Sequence, residues 1–310
     1  MHSSDVATPI MSEARSHTYW RRRIIHNARA YAFLLPALFL FAMFMWWPVV
    51  ESFTLAFQAV TLRFERSWVG LANFRFIFGD KLFFIAWRNT LRYTAMAILF
   101  GYIVPVVLAL AANEMRPWAR DLFRLAYYLP VILPAVVTSL LWKWIFYPAE
   151  GGLLNAVLGF FGMPPLRWLN DQRLALPSIW ITTTWGGAGG AMIMYMAGLA
   201  DIPASLYEAA EIDGANIWQR IWYITLPQLR FLMLMMLISQ FINNIQLFTQ
   251  PWVLTQGGPN NATLTNTIYV YRQAFFNAQY GTASAAGLVI FAFLSIFSIS
   301  YVVLITRRVK

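Results

Sequence analysis

Residues 208–227 read Glu-Ala-Ala-Glu-Ile-Asp-Gly-Ala-Asn-Ile-Trp-Gln-Arg-Ile-Trp-Tyr-Ile-Thr-Leu-Pro, a polar, hinged stretch set between two long apolar runs. Polar residues confined between apolar runs of about 20 residues are what a loop joining two membrane helices looks like. Ser205 stands three residues ahead of Glu208, the spacing of a capping box, and Pro203 offers a different start as first helical residue. Either start predicts a short helix with Leu206, Ala209 and Ala210 on one face, where the small alanines let a partner surface approach closely. Asp213-Gly214 interrupts that helix, because glycine accepts the left-handed backbone of a sharp turn. Ile217, Ile221 and Ile224, flanked by Trp218 and Trp222, recur at helical spacing and predict a second short helix packed against the bases of the membrane helices. Leu226-Pro227 is expected to end it.

Outward from this loop the chain is too apolar for a soluble domain. Of 310 residues 59% are hydrophobic and 12% charged, and the mean hydropathy is +0.55. The bilayer must serve as solvent for much of it. Trp and Tyr number 14 each, in keeping with aromatic belts at two membrane interfaces. Six segments are long and uncharged enough to span: 30–50, 93–113, 125–147, 174–200, 231–254 and 283–306. Lys143 is the only formal charge inside them, close enough to an end to reach water as an interface anchor. The expected fold is all-α, a polytopic membrane protein of six transmembrane helices with a cytoplasmic helix-turn-helix. Residues 1–29 are expected to form a cytoplasmic tail, 30–306 the six-helix transmembrane domain with its loop at 201–230, and 307–310 a second cytoplasmic tail.

Charge orients the spans. Arg21, Arg22, Arg23 and Arg29 precede the first, Arg116, Arg120 and Arg124 follow the second, and Arg307, Arg308 and Lys310 close the chain. By the positive-inside preference these sides are cytoplasmic, which places both termini and the 201–230 loop there. Arg63, Arg66, Arg75, Lys81, Arg88 and Arg92 stand on the opposite side, in a connection long enough to weaken the rule. The first span has no clear small-residue cleavage site and ends in Trp46-Trp47-Pro48, so it is read as a retained helix rather than a signal peptide. The formal charge of +10 belongs to these membrane flanks and not to a nucleic-acid surface. No cysteine is present, which removes disulfide and thiol chemistry.

The spacing Glu208-Ala209-Ala210, Gly214, Ile224, Leu226-Pro227 resembles the cytoplasmic motif of permease subunits of bacterial and archaeal ATP-binding-cassette importers. Val69-Gly70-Leu71-Ala72-Asn73-Phe74, Asn89-Thr90-Leu91, Tyr128-Leu129-Pro130 with Pro134, and Leu254-Thr255-Gln256-Gly257-Gly258-Pro259 look like segments of the maltose and glycerol-phosphate permease group. Ile221 departs from the pattern, standing where many members have an aromatic residue. The resemblance implies half of a pore in the cytoplasmic membrane, paired with a second, related permease, two ATPase subunits and an extracytoplasmic solute-binding protein. It also implies that Glu208, Ala209, Ala210 and Asp213 dock on an ATPase, that Gly214 sets the turn, and that Ile224, Leu226 and Pro227 relay motion into the fifth span. The chain has no Gly-rich phosphate loop, so ATP and Mg belong to the partners, and no cofactor, metal or catalytic residue is expected here.

In the fifth span Gln240, Asn243 and Asn244 share a helical face, with Gln246 nearby. Amides at membrane depth either bond to other helices or face a watery cavity, where they match a neutral polyhydroxyl ligand. A di- or oligosaccharide is the expected cargo; a polyol or glycerol-phosphate derivative is the alternative. The glycine-rich stretch Trp185–Gly190 permits close helix packing or a local break. A secondary transporter would normally need an ionisable relay within the membrane, and the spans contain no Asp, Glu or His. An intramembrane enzyme would need a nucleophile, base or metal cluster that is equally lacking.

Overall fold

The apolar runs fold as helices because a chain without water around it must satisfy its own backbone groups. The computed structural model describes residues 32–60, 65–148 and 151–309. The tail at 1–29, Arg63 and Lys310 lie outside them. The chain divides into Met1–Thr54 and Leu55–Lys310. In the first unit the described residues belong to helix α1, Ala32–Leu55, with a π-helical turn at Ala42–Trp46.

The second unit opens with strands β1, Gln58–Val60, and β2, Arg66–Trp68, paired antiparallel with Ala59 opposite Ser67. Helix α2, Ala72–Gly79, leads into α3, which runs from Lys81 to Asn113 through a π turn at Ala97–Gly101. Helices α4, Pro117–Ile132, and α5, Ala135–Ile145, follow, then α6, Leu153–Phe160, and α7, Ala175–Ala200. The loop helix α8, Ala204–Ile212, precedes α9, Ile217–Ile245. Helix α10, Thr249–Thr255, α11, Asn266–Tyr271, and α12, Tyr280–Val309, complete the chain.

Among the described residues α1, α3, α9 and α12 are long and apolar enough to cross a membrane. Helix α7 has the length, at 26 residues or about 39 Å. It is less apolar because Thr182, Thr183 and Thr184 and four glycines between Gly186 and Gly190 interrupt the hydrocarbon.

Two expected spans are redrawn. The segment 125–147 is not one straight helix: α4 and α5 meet at 101°. Leu133 is extended (ψ 133°), the conformation favoured before proline, and Pro134 starts the new direction. The fifth span is shifted toward the loop. It ends at Ile245 rather than Leu254: Pro251 has no N–H to give the Leu247 carbonyl, which accepts instead from the hydroxyls of Thr265 and Thr267 (3.0 and 2.6 Å).

Packing sets the distances between helices. A Cβ on Gly189 of α7 would come within 1.8 Å of the Tyr127 carbonyl oxygen, so the α4 backbone lies directly on that glycine. The glycine-rich stretch is thus a close-packing surface in an unbroken helix. Val106 and Ala109 of α3, Met192 and Leu199 of α7 and Leu229 of α9 form one buried cluster. Ile77, Phe83, Leu264, Ile268 and Ala286 form another, beside the β-hairpin.

Candidate functional site

Helices α3, α7 and α9 enclose a cavity of about 260 Å³, lined by Tyr93, Tyr102, Thr183, Tyr195, Gln240, Asn243 and Asn244 among others. The cavity exists because small residues occupy the facing positions: Ala97 and Gly101 on α3, Gly187, Ala188 and Ala191 on α7. The Tyr93 hydroxyl pairs with that of Thr183 at 2.7 Å, and the Tyr102 hydroxyl donates to the Met233 carbonyl. No lining side chain carries a charge at neutral pH.

The four amides expected to face substrate do not act alike. Asn244 is 9% exposed, and its amide nitrogen is buried without a hydrogen-bond partner among the described residues. A buried donor left unpaired is costly. Asn244 lines the cavity, with that nitrogen buried behind the wall. Asn243 stands at the exposed rim of the same cavity. Gln240 lines it too, but its amide nitrogen donates to the Ala97 carbonyl at 3.1 Å, so the interhelical alternative holds for that donor. That bond joins α9 to α3 at the start of the π turn. Gln246 is elsewhere: it caps the end of α9 and lines a separate hollow with Thr267 and Phe291. The helix ends one residue before it, so the periodicity that would carry it toward the cavity stops.

In the loop, α8 exposes Glu208 and Ala209, while Ala210 is half-buried. Asp213 caps its end, and Gly214 follows at φ +75°, the left-handed turn expected. The capping box falls in a different place. Helix α8 begins at Ala204 with Pro203 as its cap and no side-chain cap bond, which puts Ser205 inside the helix. The box is formed by Asn216 and Gln219 at the start of α9 (2.9 and 2.8 Å).

Leu226-Pro227 does not end the second arm. Helix α9 continues through it, because a π turn at Ile221–Thr225 precedes the proline and supplies the room its ring needs against the preceding turn. The second arm and the fifth span are therefore one rod. Ile221 and Ile224 are half-buried, and Leu226 packs on the Val106–Leu229 cluster. Trp218 and Trp222 are 68% and 65% exposed and do not pack as expected.

Several contacts are not foreseeable from the sequence. The Tyr207 hydroxyl meets that of buried Thr225 at 2.9 Å, tying α8 to the rod. Asn73 donates to the carbonyls of Ala56 and Gln58, both at 2.9 Å. Asn89 donates to those of Asn261 and Leu264, and Arg272 to that of Gln256 and to the Asn261 side chain. Asn89 ties the segment after the Gly257-Gly258-Pro259 turn to α3, Arg272 ties both sides of that turn to the end of α11, and Asn73 ties α2 to the segment after α1. Desolvation holds the Arg272 guanidinium below its usual value. Asn73 and Asn89 stood in recognised segments, but nothing in a single sequence says that an asparagine will clamp a distant carbonyl. Among the described residues no group of three or more His, Asp or Glu could hold a metal.

Residues 101–310 match the family of binding-protein-dependent transport system inner membrane components. The arabinooligosaccharides transport system permease protein AraP of Bacillus subtilis is 30% identical over 94% of this chain and 93% of its own length. The lactose transport system permease protein LacF of Rhizobium radiobacter is 31% identical over 88% and 92%. A crystal structure of a bacterial ABC transporter involved in the import of the acidic polysaccharide alginate matches with a TM-score of 0.86 at 26% identity, covering 94% of this chain and 100% of that one. A second, of an alginate transporter in complex with an alginate pentasaccharide-bound periplasmic protein, matches with a TM-score of 0.81.

Proposed function

Because the chain belongs to the family of binding-protein-dependent transport system inner membrane components, we propose that it forms one half of a translocation pathway for a sugar. The observation that carries this reading is the uncharged cavity among α3, α7 and α9, with the unpaired Asn244 amide at its wall. A hydroxyl-rich solute can exchange hydrogen bonds with the Asn243 and Asn244 side chains and the neighbouring hydroxyls, and the tyrosine rings offer faces to sugar C–H groups. Oligosaccharides and lactose are named for two relatives, which supports a di- or oligosaccharide over a polyol or glycerol-phosphate derivative. The lack of a cationic side chain in the cavity adds to that preference.

The chain works in six spans, with α4 and α5 as one bent span and α7 as the fourth. Both termini and α8 are cytoplasmic, and a second permease supplies the other half of the cavity. Two ATPase subunits hydrolyse ATP with Mg and grip α8 through Glu208, Ala209, Ala210 and Asp213, while a solute-binding protein delivers cargo on the far side. Gly214 sets the angle of α8. The rod from Ile217 through Ile224, Leu226 and Pro227 to Asn244 carries ATPase motion to the cavity without an intervening joint.

The test is ATP-dependent sugar uptake by proteoliposomes holding the whole complex. Asn244→Leu is expected to lower uptake at least about tenfold while the complex stays assembled, one good hydrogen bond to a polar group being worth about 1.5 kcal/mol. Sugar uptake at full rate without ATP or binding protein overturns the importer reading.

A further inference from the structure

Helix α6, Leu153–Phe160, follows the bent pair α4–α5 and precedes α7, so it sits at the opposite end of α7 from the loop helix α8. Its polarity is inside out. The single polar side chain, Asn155, is 3% exposed and faces inward, where it donates to the carbonyls of Tyr147 and Leu166 and accepts from the Leu166 amide and the Trp168 indole, all at 3.0–3.1 Å. The outward face is hydrocarbon. Leu153, Val157, Phe160 and Phe161 follow helical spacing and are 51%, 49%, 87% and 68% exposed, and Met163 just beyond is 47% exposed. From Gly151 to Leu166 there is no charged side chain; the charges resume at Arg167, Asp171 and Arg173.

We propose that the outward face of α6 is a lipid-contacting anchor, seated in the headgroup-to-acyl boundary of the bilayer. Eight residues make a rod of about 12 Å, too short to cross a hydrocarbon layer of about 30 Å, so the helix lies along the surface. The helix follows α5 and precedes α7, and the charged residues Arg167, Asp171 and Arg173 beyond its apolar face suit the headgroup side of such a seat. A protein partner would be the other covering, but a specific interface carries about one hydrogen bond per 100–200 Å², and this face offers no side chain to make one. Lipid asks for none. The four bonds of Asn155 hold the helix firmly against the chain, so the anchor fixes the connection between α5 and α7 at a set depth.

The decisive experiment places the photoreactive residue p-benzoylphenylalanine at Phe160 in the whole importer in native membranes. Phe160 is almost wholly exposed, and an enlarged aromatic ring there leaves folding intact. The expected result is a lipid adduct on the peptide containing residue 160, with none when Leu154, on the inward face, carries the probe. Crosslinking of position 160 to the second permease or to the solute-binding protein, or no adduct at all, overturns the proposal. These outcomes are independent of which solute the cavity carries.

Discussion

At Asn244 a buried amide nitrogen lacks a partner, whereas four residues earlier Gln240 spends its own on the Ala97 carbonyl. The two therefore predict different phenotypes. Asn244→Leu lowers transport without loosening the fold, as described above. Gln240→Leu frees the Ala97 carbonyl and is expected to destabilise the α3–α9 contact by about 0.6–2 kcal/mol, read as a lowered unfolding temperature of the detergent-solubilised complex. Gly214 sits at φ +75° in open space, so its demand is conformational, not steric. Gly214→Val is expected to insert and assemble but to lose uptake, because a β-branched side chain resists the left-handed turn by at least about 1–2 kcal/mol. Full uptake in that variant removes the turn from the coupling mechanism. The spacing of the amides and the Asp-Gly turn were legible in the sequence; which amide is already satisfied was not, because it depends on a carbonyl 143 positions away.

The elements that transmit force are joined by contacts invisible to periodicity. Tyr207 of α8 and Thr225 of the α9 π turn share a hydroxyl bond, so α8 moves with the rod. Tyr207→Phe is expected to keep ATP hydrolysis while raising the ATP used per sugar imported, measured as the ratio of phosphate released to label accumulated. An unchanged ratio means that the turn at Gly214 couples α8 sufficiently by itself. Helix α7 depends on its glycines for proximity to α4. Gly189→Val would drive its side chain into the Tyr127 carbonyl, and loss of about 1–3 kcal/mol from overpacking should appear as reduced yield of folded protein. Leu133-Pro134 and Leu226-Pro227 illustrate how one residue type acts in two ways. The first turns the chain by 101°, and the second sits inside a continuous rod because a π turn makes room for it.

For the whole molecule, affinity purification from native membranes through a tag on this chain should recover an ATPase, a second permease and a solute-binding protein, identified by mass spectrometry. Recovery of the chain alone, with ATP-independent uptake, would return the secondary-transporter reading. The apolar runs, the charged flanks and the 208–227 spacing determined by themselves that the chain is a helical membrane protein with a hinged polar loop, since hydrocarbon length and turn chemistry are local properties. They also singled out Gly214, Asn243 and Asn244. Tertiary structure alone decided the elbow between α4 and α5, the union of the second arm with the fifth span, and the exclusion of Gln246 from the cavity. It also placed the clamps made by Asn73, Asn89 and Arg272. The end of α9 and the clamps depend on groups supplied by distant elements, and a single sequence carries no record of which distant groups will meet; the elbow and the union rest on whether the chain bends at a proline or accommodates it with a π turn, which packing settles.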